Sequence, residues 1–460
     1  MMIAARAFFI FVITLPSAAH AKPEPGLTGQ FATAIIDFSY QDLPPEVVER
    51  ARYLIADSLA TAIGAHHTSI YQEVENIIGP SGGDHLLLAS GKRASMSEAV
   101  YLNSFAANVL DFDDSHTEVG HPGATIVPAA LLLREAFDKS EQELIEAVVA
   151  GYEFNIRWAR SVFNYSNKFD GPWSSSTLQV MGTTVMAAKL LDLSTEEIQR
   201  ALFFAASNTP IPVNQKIGLQ RNQIMSGMKN NYGHAARGAV EAVLAARAGI
   251  PAEKTVLDGD QGQWRMIAAK EFHPEYLLAD IGGIWELMSV QVKPYAACRW
   301  MHSSIDAFKT LLQRIEPQEI ESVEVLIYQF GYQSLRKPEP KTLLELQFSL
   351  PHIFGLLANK NSLIDLRLED TLHEPAIEFS RKVNVVMDQS LEDLFQEENK
   401  IAAEVIVTGI DGKKYREQVL SPLGSAGNEI SSSAHLIKIK ALVDGSPHPL
   451  VRELASRYLP

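Results

Sequence analysis

Residues 111–122 read Asp-Phe-Asp-Asp-Ser-His-Thr-Glu-Val-Gly-His-Pro, so four carboxylates (Asp111, Asp113, Asp114, Glu118) and two imidazoles (His116, His121) fall within twelve residues. That density suits proton transfer, which needs a base, an acid and neighbours that tune both. The same side chains could in principle hold a divalent cation. A solvated acidic turn is the plainer alternative.

A loop of this kind works only if rigid elements hold it, and the flanking sequence supplies them. Upstream, Ser95 with Glu98 forms a capping-box pattern that opens an apolar run through Leu110. Downstream, Pro128 is expected to open a helix over Ala129 to Phe137. From about Leu27 to Ile267 nearly every segment has helical spacing. Pro45 to Ala65, Gln142 to Val162, Thr177 to Leu191 and Ile224 to Ala246 are the clearest, and Ser194 with Glu197 is a second capping box. Met181 to Leu191 is apolar nearly all round, as expected of a central helix in a layered bundle. The period then changes. Ile320 to Tyr328 and Lys382 to Met387 alternate as strands, and Glu404 to Val407 with Tyr415 to Val419 flank Asp411-Gly412, a hairpin signal. Ser431 to Tyr458 returns to helical spacing. The expected fold class is mainly α. It combines a large all-helical domain over 22–270, completed by C-terminal helices within 421–460, with a smaller α+β domain over 271–420.

Composition sets outer bounds. The 460 residues are 46% hydrophobic and 21% charged, which describes an ordinary globular chain with a large core. A net charge of −15 argues against nucleic acid as the partner, because phosphate backbones want clustered cations. Arg6, the apolar run Ala7 to Leu15 and the small residues ending at Ala21 read as a cleavable secretory signal over 1–21. The run is too short to span a bilayer, and no later segment is long and apolar enough. The mature chain is therefore expected to be exported, to a periplasm if the source has one. The one cysteine, Cys298, can form no internal disulfide and reads as a small buried hydrophobe. No glycine-rich phosphate loop and no His-Glu-x-x-His metal spacing is present.

Taken together, these blocks resemble the MmgE/PrpD family, which includes 2-methylcitrate dehydratase, cis-aconitate decarboxylase and an iminodisuccinate epimerase. The resemblance is carried by Asp111 to His116 with His121-Pro122 and Val127-Pro128-Ala129, by Val149 to Glu153, by Ala187 to Leu193, by Lys229 with Gly233 to Gly238, by Leu257-Asp258-Gly259, by Lys293-Pro294-Tyr295 through Cys298-Arg299 to His302, and by Phe348 to Pro351. It covers almost the whole mature chain. It implies a helical domain with an α+β lid and the site between them, no metal or organic cofactor, and a homodimer.

Residue roles follow from the resemblance. Asp111, Ser115 and His121 match three active-site positions of the decarboxylase branch, with Ser115 where that branch has threonine. Lys229 matches its lysine and His302 a histidine at the domain junction. His121, Asp111, Lys229 and His302 are thus the expected catalytic set. Ser115, Arg299, His116, Tyr295 and Trp173 are the expected substrate contacts, Arg299 as a bidentate carboxylate clamp. Asp113 and Asp114 are expected to cap helices, and His234 to be a polar bystander. Trp173 stands where the family commonly has a histidine, so a group able to move a proton is replaced by an indole with one donor and no acceptor.

The implied chemistry is proton transfer at a carbon next to a carboxylate of a di- or tricarboxylic acid, 2-methylcitrate dehydratase-like. Two alternatives remain: an epimerase of an amino- or hydroxy-dicarboxylate, which the Trp173 departure favours, and a non-catalytic exported binder of polycarboxylates.

Overall fold

The computed structural model describes residues 26–162, 174–212, 230–446 and 448–458. The expected signal segment, Trp173 and Lys229 lie outside the described residues.

The helical part begins with α1 (Leu27–Asp37), α2 (Pro45–Gly64), α3 (Ser69–Ile78) and, after a two-residue antiparallel ladder of β1 (His85–Leu86) with β2 (Arg93–Ala94), α4 (Met96–Val109). It continues through α5 (Gly123–Ala136), α6 (Glu141–Val162), α7 (Ser175–Leu190), α8 (Thr195–Ser207) and α9 (Tyr232–Arg247), then the short α10 (Gln263–Met266) and α11 (Glu275–Leu278). Both capping boxes form: Ser95 opens α4 with Glu98, and Ser194 opens α8 with Glu197. The central element is α7, buried at almost every position, as its all-round apolar sequence requires. It packs on α6 so closely that glycine stands on both sides of the contact. A Cβ on Gly182 would fall 2.5 Å from the Cβ of Asn155, and one on Gly151 2.9 Å from the Cβ of Met186. No helix among the described residues is long and apolar enough to cross a membrane.

One expected boundary is corrected. Pro128 does not open a helix: α5 starts at Gly123 and contains Pro128. Asp114 Oδ1 accepts the Gly123 N–H at 3.0 Å and so anchors the helix start five residues earlier. That anchor lies across a folded loop, where sequence spacing does not reveal it.

The α+β part runs from α12 (His302–Leu311) to β6 (Lys414–Val419). Between them come β3 (Ile320–Ile327), α13 (Gln329–Leu335), α14 (Leu343–Gln347), α15 (Leu350–Ala358), α16 (Glu374–Ser380), β4 (Val383–Met387), α17 (Gln389–Glu398) and β5 (Ala403–Gly409). The sheet order is β4-β3-β5-β6, with β3 parallel to β4 and antiparallel to β5, and β5 antiparallel to β6. Helices must carry the parallel β3–β4 crossover, and α13 to α16 do so. Val325 sits centrally, opposite Val385 and Val405. The chain closes with α18 (Ser432–Val443) and α19 (Pro449–Tyr458), both packed on α2.

Gly182→Ala tests the α6–α7 contact. Helix backbones cannot give way as a flexible side chain can, so the added methyl is expected to cost about 1–3 kcal/mol of stability. A denaturant midpoint equal to wild type would show that the two helices spread freely.

Candidate active site

The loop between α4 and α5 is built from buried charges. Asp111, Asp113 and Asp114 are at most 1% exposed and Glu118 is 6% exposed, which rules out a solvated acidic turn. Each carboxylate therefore needs a partner. Asp111 takes a left-handed backbone conformation, φ +47°, uncommon for a non-glycine residue. Lys293, itself fully buried, holds that turn: its Nζ donates to the Asp111 carbonyl at 2.8 Å and to Oδ1 at 2.6 Å. Asp113 receives the Asn108 amide at 3.0 Å on both oxygens. Tyr152 Oη donates to Asp114 Oδ2 at 2.5 Å, while burial pushes the Asp114 carboxyl up to about 7. The loop backbone is also pinned from outside. Ser115 and Gln291 exchange two hydrogen bonds of 2.8 Å, tying the loop to the segment that leads into the α+β part. Gly120, at φ +90°, lies where a Cβ would come 2.5 Å from Ser175 Cβ.

His121 sits among these groups. Its Nδ1 is 2.9 Å from the Asp114 carbonyl and 3.3 Å from Asp113 Oδ2, and its Nε2 is 3.7 Å from Asp111 Oδ1. A carbonyl only accepts, so Nδ1 carries hydrogen and Nε2 is the nitrogen on the Asp111 side. The ring borders a cavity of about 60 Å³. Asp111, Ser115, His121, Ser175 and Asn230 give that cavity a polar floor, and Cys298, Trp300, Phe330, Phe348 and Ile401 give it a largely apolar roof from the α+β side. Ser115 Oγ is buried and has no hydrogen-bond partner among the described residues, which leaves a hydroxyl to meet a ligand. The lone cysteine is buried, as its sequence suggests, but in the wall of this cavity.

The expected site residues divide. Asp111, Ser115, His116 and His121 come together around the cavity, and Arg299 joins them at its edge. Arg299 does not present the free fork expected of a carboxylate clamp. Its five N–H groups point at Gln291 Oε1, the Leu423 and Pro422 carbonyls, Ser425 Oγ and His302 Nδ1. Burial lowers the guanidinium to about 10. The acid/base role expected of His302 is corrected for the same reason. It is fully buried, its Nδ1 faces the Arg299 guanidinium at 3.1 Å, its Nε2 faces the Ala297 carbonyl at 3.1 Å, and it does not line the cavity. Burial, then Arg299, depresses its protonation well below the ordinary histidine range, so it stays a neutral brace for Arg299. Tyr295 also turns away: its hydroxyl donates to Asp306 Oδ1 at 2.7 Å and receives Lys309 Nζ at 3.0 Å. His116 keeps its imidazole on Ser289 Oγ and the Glu118 N–H, and burial lowers its pKa. His234 is held near Arg237 at the start of α9, away from the cavity.

Sequence reasoning gave no role to Lys293, Asn108 or Asn230. Lys293 lies between Val292 and Pro294, and a lysine in such an apolar setting is the one signal that hints at burial with a counter-ion. Asn230 joins the site through other side chains, receiving Ser175 Oγ at 2.9 Å and donating to Asn108 Oδ1 at 3.2 Å.

Asp111, Asp113 and His121 offer ligand atoms within 4.8 Å of one another, close enough for a divalent ion. Their chemistry fits one poorly. The Lys293 ammonium is already bonded to Asp111, and the Asn108 amide to both oxygens of Asp113. An incoming cation would have to displace a buried cation and a donor.

The sequence of the chain matches two family models end to end along most of its length. The MmgE/PrpD N-terminal domain model matches residues 29–275, and the MmgE/PrpD C-terminal domain model matches residues 295–451. The chain belongs to the MmgE/PrpD family. Among its relatives are cis-aconitate decarboxylase of Aspergillus terreus, 24% identical over 439 residues that cover 88% of this chain and 87% of that protein. Human cis-aconitate decarboxylase is 24% identical over 293 residues, covering 61% of this chain and 58% of that protein. These relatives are enzymes, and the family supports a lyase-like role for this chain.

Asp114 generates a pH prediction. Its carboxyl pKa is raised in the fold to about 7, so the folded chain binds more protons there than the unfolded chain between about pH 4 and 7. The stability this group contributes is complete at the acid end of that window and is lost as pH rises through it. Asp114→Asn, neutral at every pH, is expected to gain on wild type as pH rises across the window when urea midpoints are compared. A constant gap between the two proteins would show that Asp114 is ionised throughout.

Proposed function

We propose that this protein is a cofactor-independent lyase that moves a proton at a carbon next to a carboxylate of a di- or tricarboxylic acid. The observation that carries the reading is His121, set at the cavity wall with Nδ1 on the Asp114 carbonyl and Nε2 beside Asp111. A histidine held in one tautomer by an acceptor on its far nitrogen is prepared to take and return a proton at the near one. Asp111 offsets the charge of the imidazolium formed on the way, and Lys293 balances Asp111 before and after. Without Lys293 a pocket rich in carboxylates would repel an anionic substrate. Ser115 Oγ offers a hydrogen bond to a substrate carboxylate. The buried charge of Arg299 at the cavity edge favours negative charge developing there, though its N–H groups are bonded within the protein.

Two outcomes of the lyase reading differ in which bond breaks. In dehydration His121 takes the proton, the electron pair of the C–H bond forms the alkene, and hydroxide leaves the neighbouring carbon with a proton supplied by an acid. In decarboxylation carbon dioxide leaves, the electron pair of the C–C bond stays on the adjacent carbon, and the protonated His121 delivers a proton there. The names of the relatives, cis-aconitate decarboxylases, support the second outcome. An epimerase is the alternative reading, supported by Trp173 in place of the family's common histidine. It would remove the proton and return it to the opposite face.

Proton NMR in D₂O with 2-methylcitrate, citrate, cis-aconitate, malate, tartrate and iminodisuccinate separates these readings. A new alkene is expected, with a net loss of water or carbon dioxide and deuterium at the reacting carbon where that carbon is reprotonated. Exchange without net elimination would replace the lyase with an epimerase, and binding without any exchange would leave a polycarboxylate binder. For whichever compound turns over, His121→Ala is expected to lower kcat by about 10²–10⁴-fold with little change in thermal stability. Turnover near the wild-type rate would remove His121 from the mechanism.

A further inference from the structure

We infer that Lys438, on the C-terminal helix α18, is a positioning residue for the proposed reaction, gripping the backbone of Lys293 and of Phe112, the residue after Asp111, so that His121 meets Asp111 in a fixed geometry. The inference rests on the proposed role of His121. Lys438 is 2% exposed and lies 326 residues from Phe112 in sequence. A lysine ammonium has three N–H donors, and all three are committed. One goes to Asp57 Oδ1 at 2.7 Å, one to the carbonyl of Phe112 at 2.7 Å, and one to the carbonyl of Lys293 at 3.1 Å. The ammonium also stands 4.1 Å from the centre of the Phe112 ring.

The choice of acceptors makes this more than a counter-ion for Asp57. Phe112 directly follows Asp111, whose left-handed turn aims the carboxylate at both Lys293 and His121. Lys293 is the cation that holds Asp111. Lys438 therefore fixes the main chain on both sides of the buried pair, while Asp57 on α2 and His435 on α18 hold Lys438 from behind. His435 Nε2 is 3.0 Å from Asp57 Oδ1, and its ring stacks on Tyr53 at 3.7 Å. A tail helix far from the loop in sequence thereby becomes part of the catalytic frame. Small displacements of a reacting group carry large rate penalties, so loss of this grip is expected to act on kcat more than on KM.

The test uses the full chain. Lys438→Met keeps the length of the stem and removes the donors, but it leaves Asp57 uncompensated and is expected to lower the thermal midpoint. The double variant D57N/K438M removes both charges and is expected to recover that midpoint. In the double variant kcat on the compound turned over by wild type is expected to stay depressed by about 10²-fold, with KM within about threefold of wild type. The His121 imidazole signals, assigned by difference from His121→Ala in ¹⁵N-histidine-labelled protein, are expected to move in the double variant. Recovery of kcat together with the midpoint would reduce Lys438 to a structural counter-ion and overturn the inference. If no compound in the panel is turned over, the proposed reaction fails and the imidazole signals decide alone: shifted signals support the positioning role, and signals identical to wild type overturn it.

Discussion

Two ions buried together, Lys293 and Asp111, anchor everything the site does. Neither has water to fall back on, so each depends on the other, and separating such a pair by removing one partner typically costs about 3–5 kcal/mol. The cost is not specific to function, but the geometry is. Lys293 bonds both the carboxylate and the carbonyl of Asp111 and so sets a left-handed turn that few side chains adopt. That turn decides where the loop goes next, and with it the positions of Asp113, Asp114, Ser115 and His121. Lys293 also cancels the Asp111 charge in an acidic pocket that is proposed to receive polyanions.

Around this pair the fold supplies rigidity in layers. The nearly fully buried helix α7, seated against α6 through facing glycines, gives the loop a close-packed floor. Ser175 at the start of α7 meets Gly120 in the loop and Asn230 near α9, so three segments share one polar seam. From the other side the two-bond bridge between Ser115 and Gln291 and the fully engaged Arg299 carry the connection toward the α+β part. The cavity is closed by apolar rings from that part. A polar floor with an apolar roof favours a small ligand that is charged on one side, and the dry roof strengthens electrostatic interactions beneath it.

Arg299 and His302 illustrate how family resemblance and local physics can part company. By residue type they are a carboxylate clamp and a proton carrier. In the fold they spend their donors and acceptors on each other, on backbone carbonyls and on the Gln291 and Ser425 side chains, and burial keeps the imidazole neutral. They act as a bracket between the loop's partner segment and the chain near Ser425, contributing charge and stiffness rather than contact.

The mainly helical class, the capping boxes at Ser95 and Ser194, the alternating strands and the hairpin at Asp411-Gly412 follow from the sequence by itself, because caps, periods and tight turns are local and each leaves its mark within a few residues. The acidic stretch and its histidine could be picked out for the same reason, by residue type and spacing. What the tertiary structure alone decided is which of those groups are paired. The partners of the Asp111 to Asp114 loop come from α4, from α6, from the segment before α12 and, through Lys438, from the last part of the chain. The start of α5 leaves no local mark in the sequence, because its anchor, Asp114, reaches Gly123 only once the loop has folded back. The Ser115 hydroxyl, without a partner among the described residues, and the occupied fork of Arg299 are likewise results of packing. Buried charge must be satisfied in three dimensions, and a chain records the charges without recording which of them will meet.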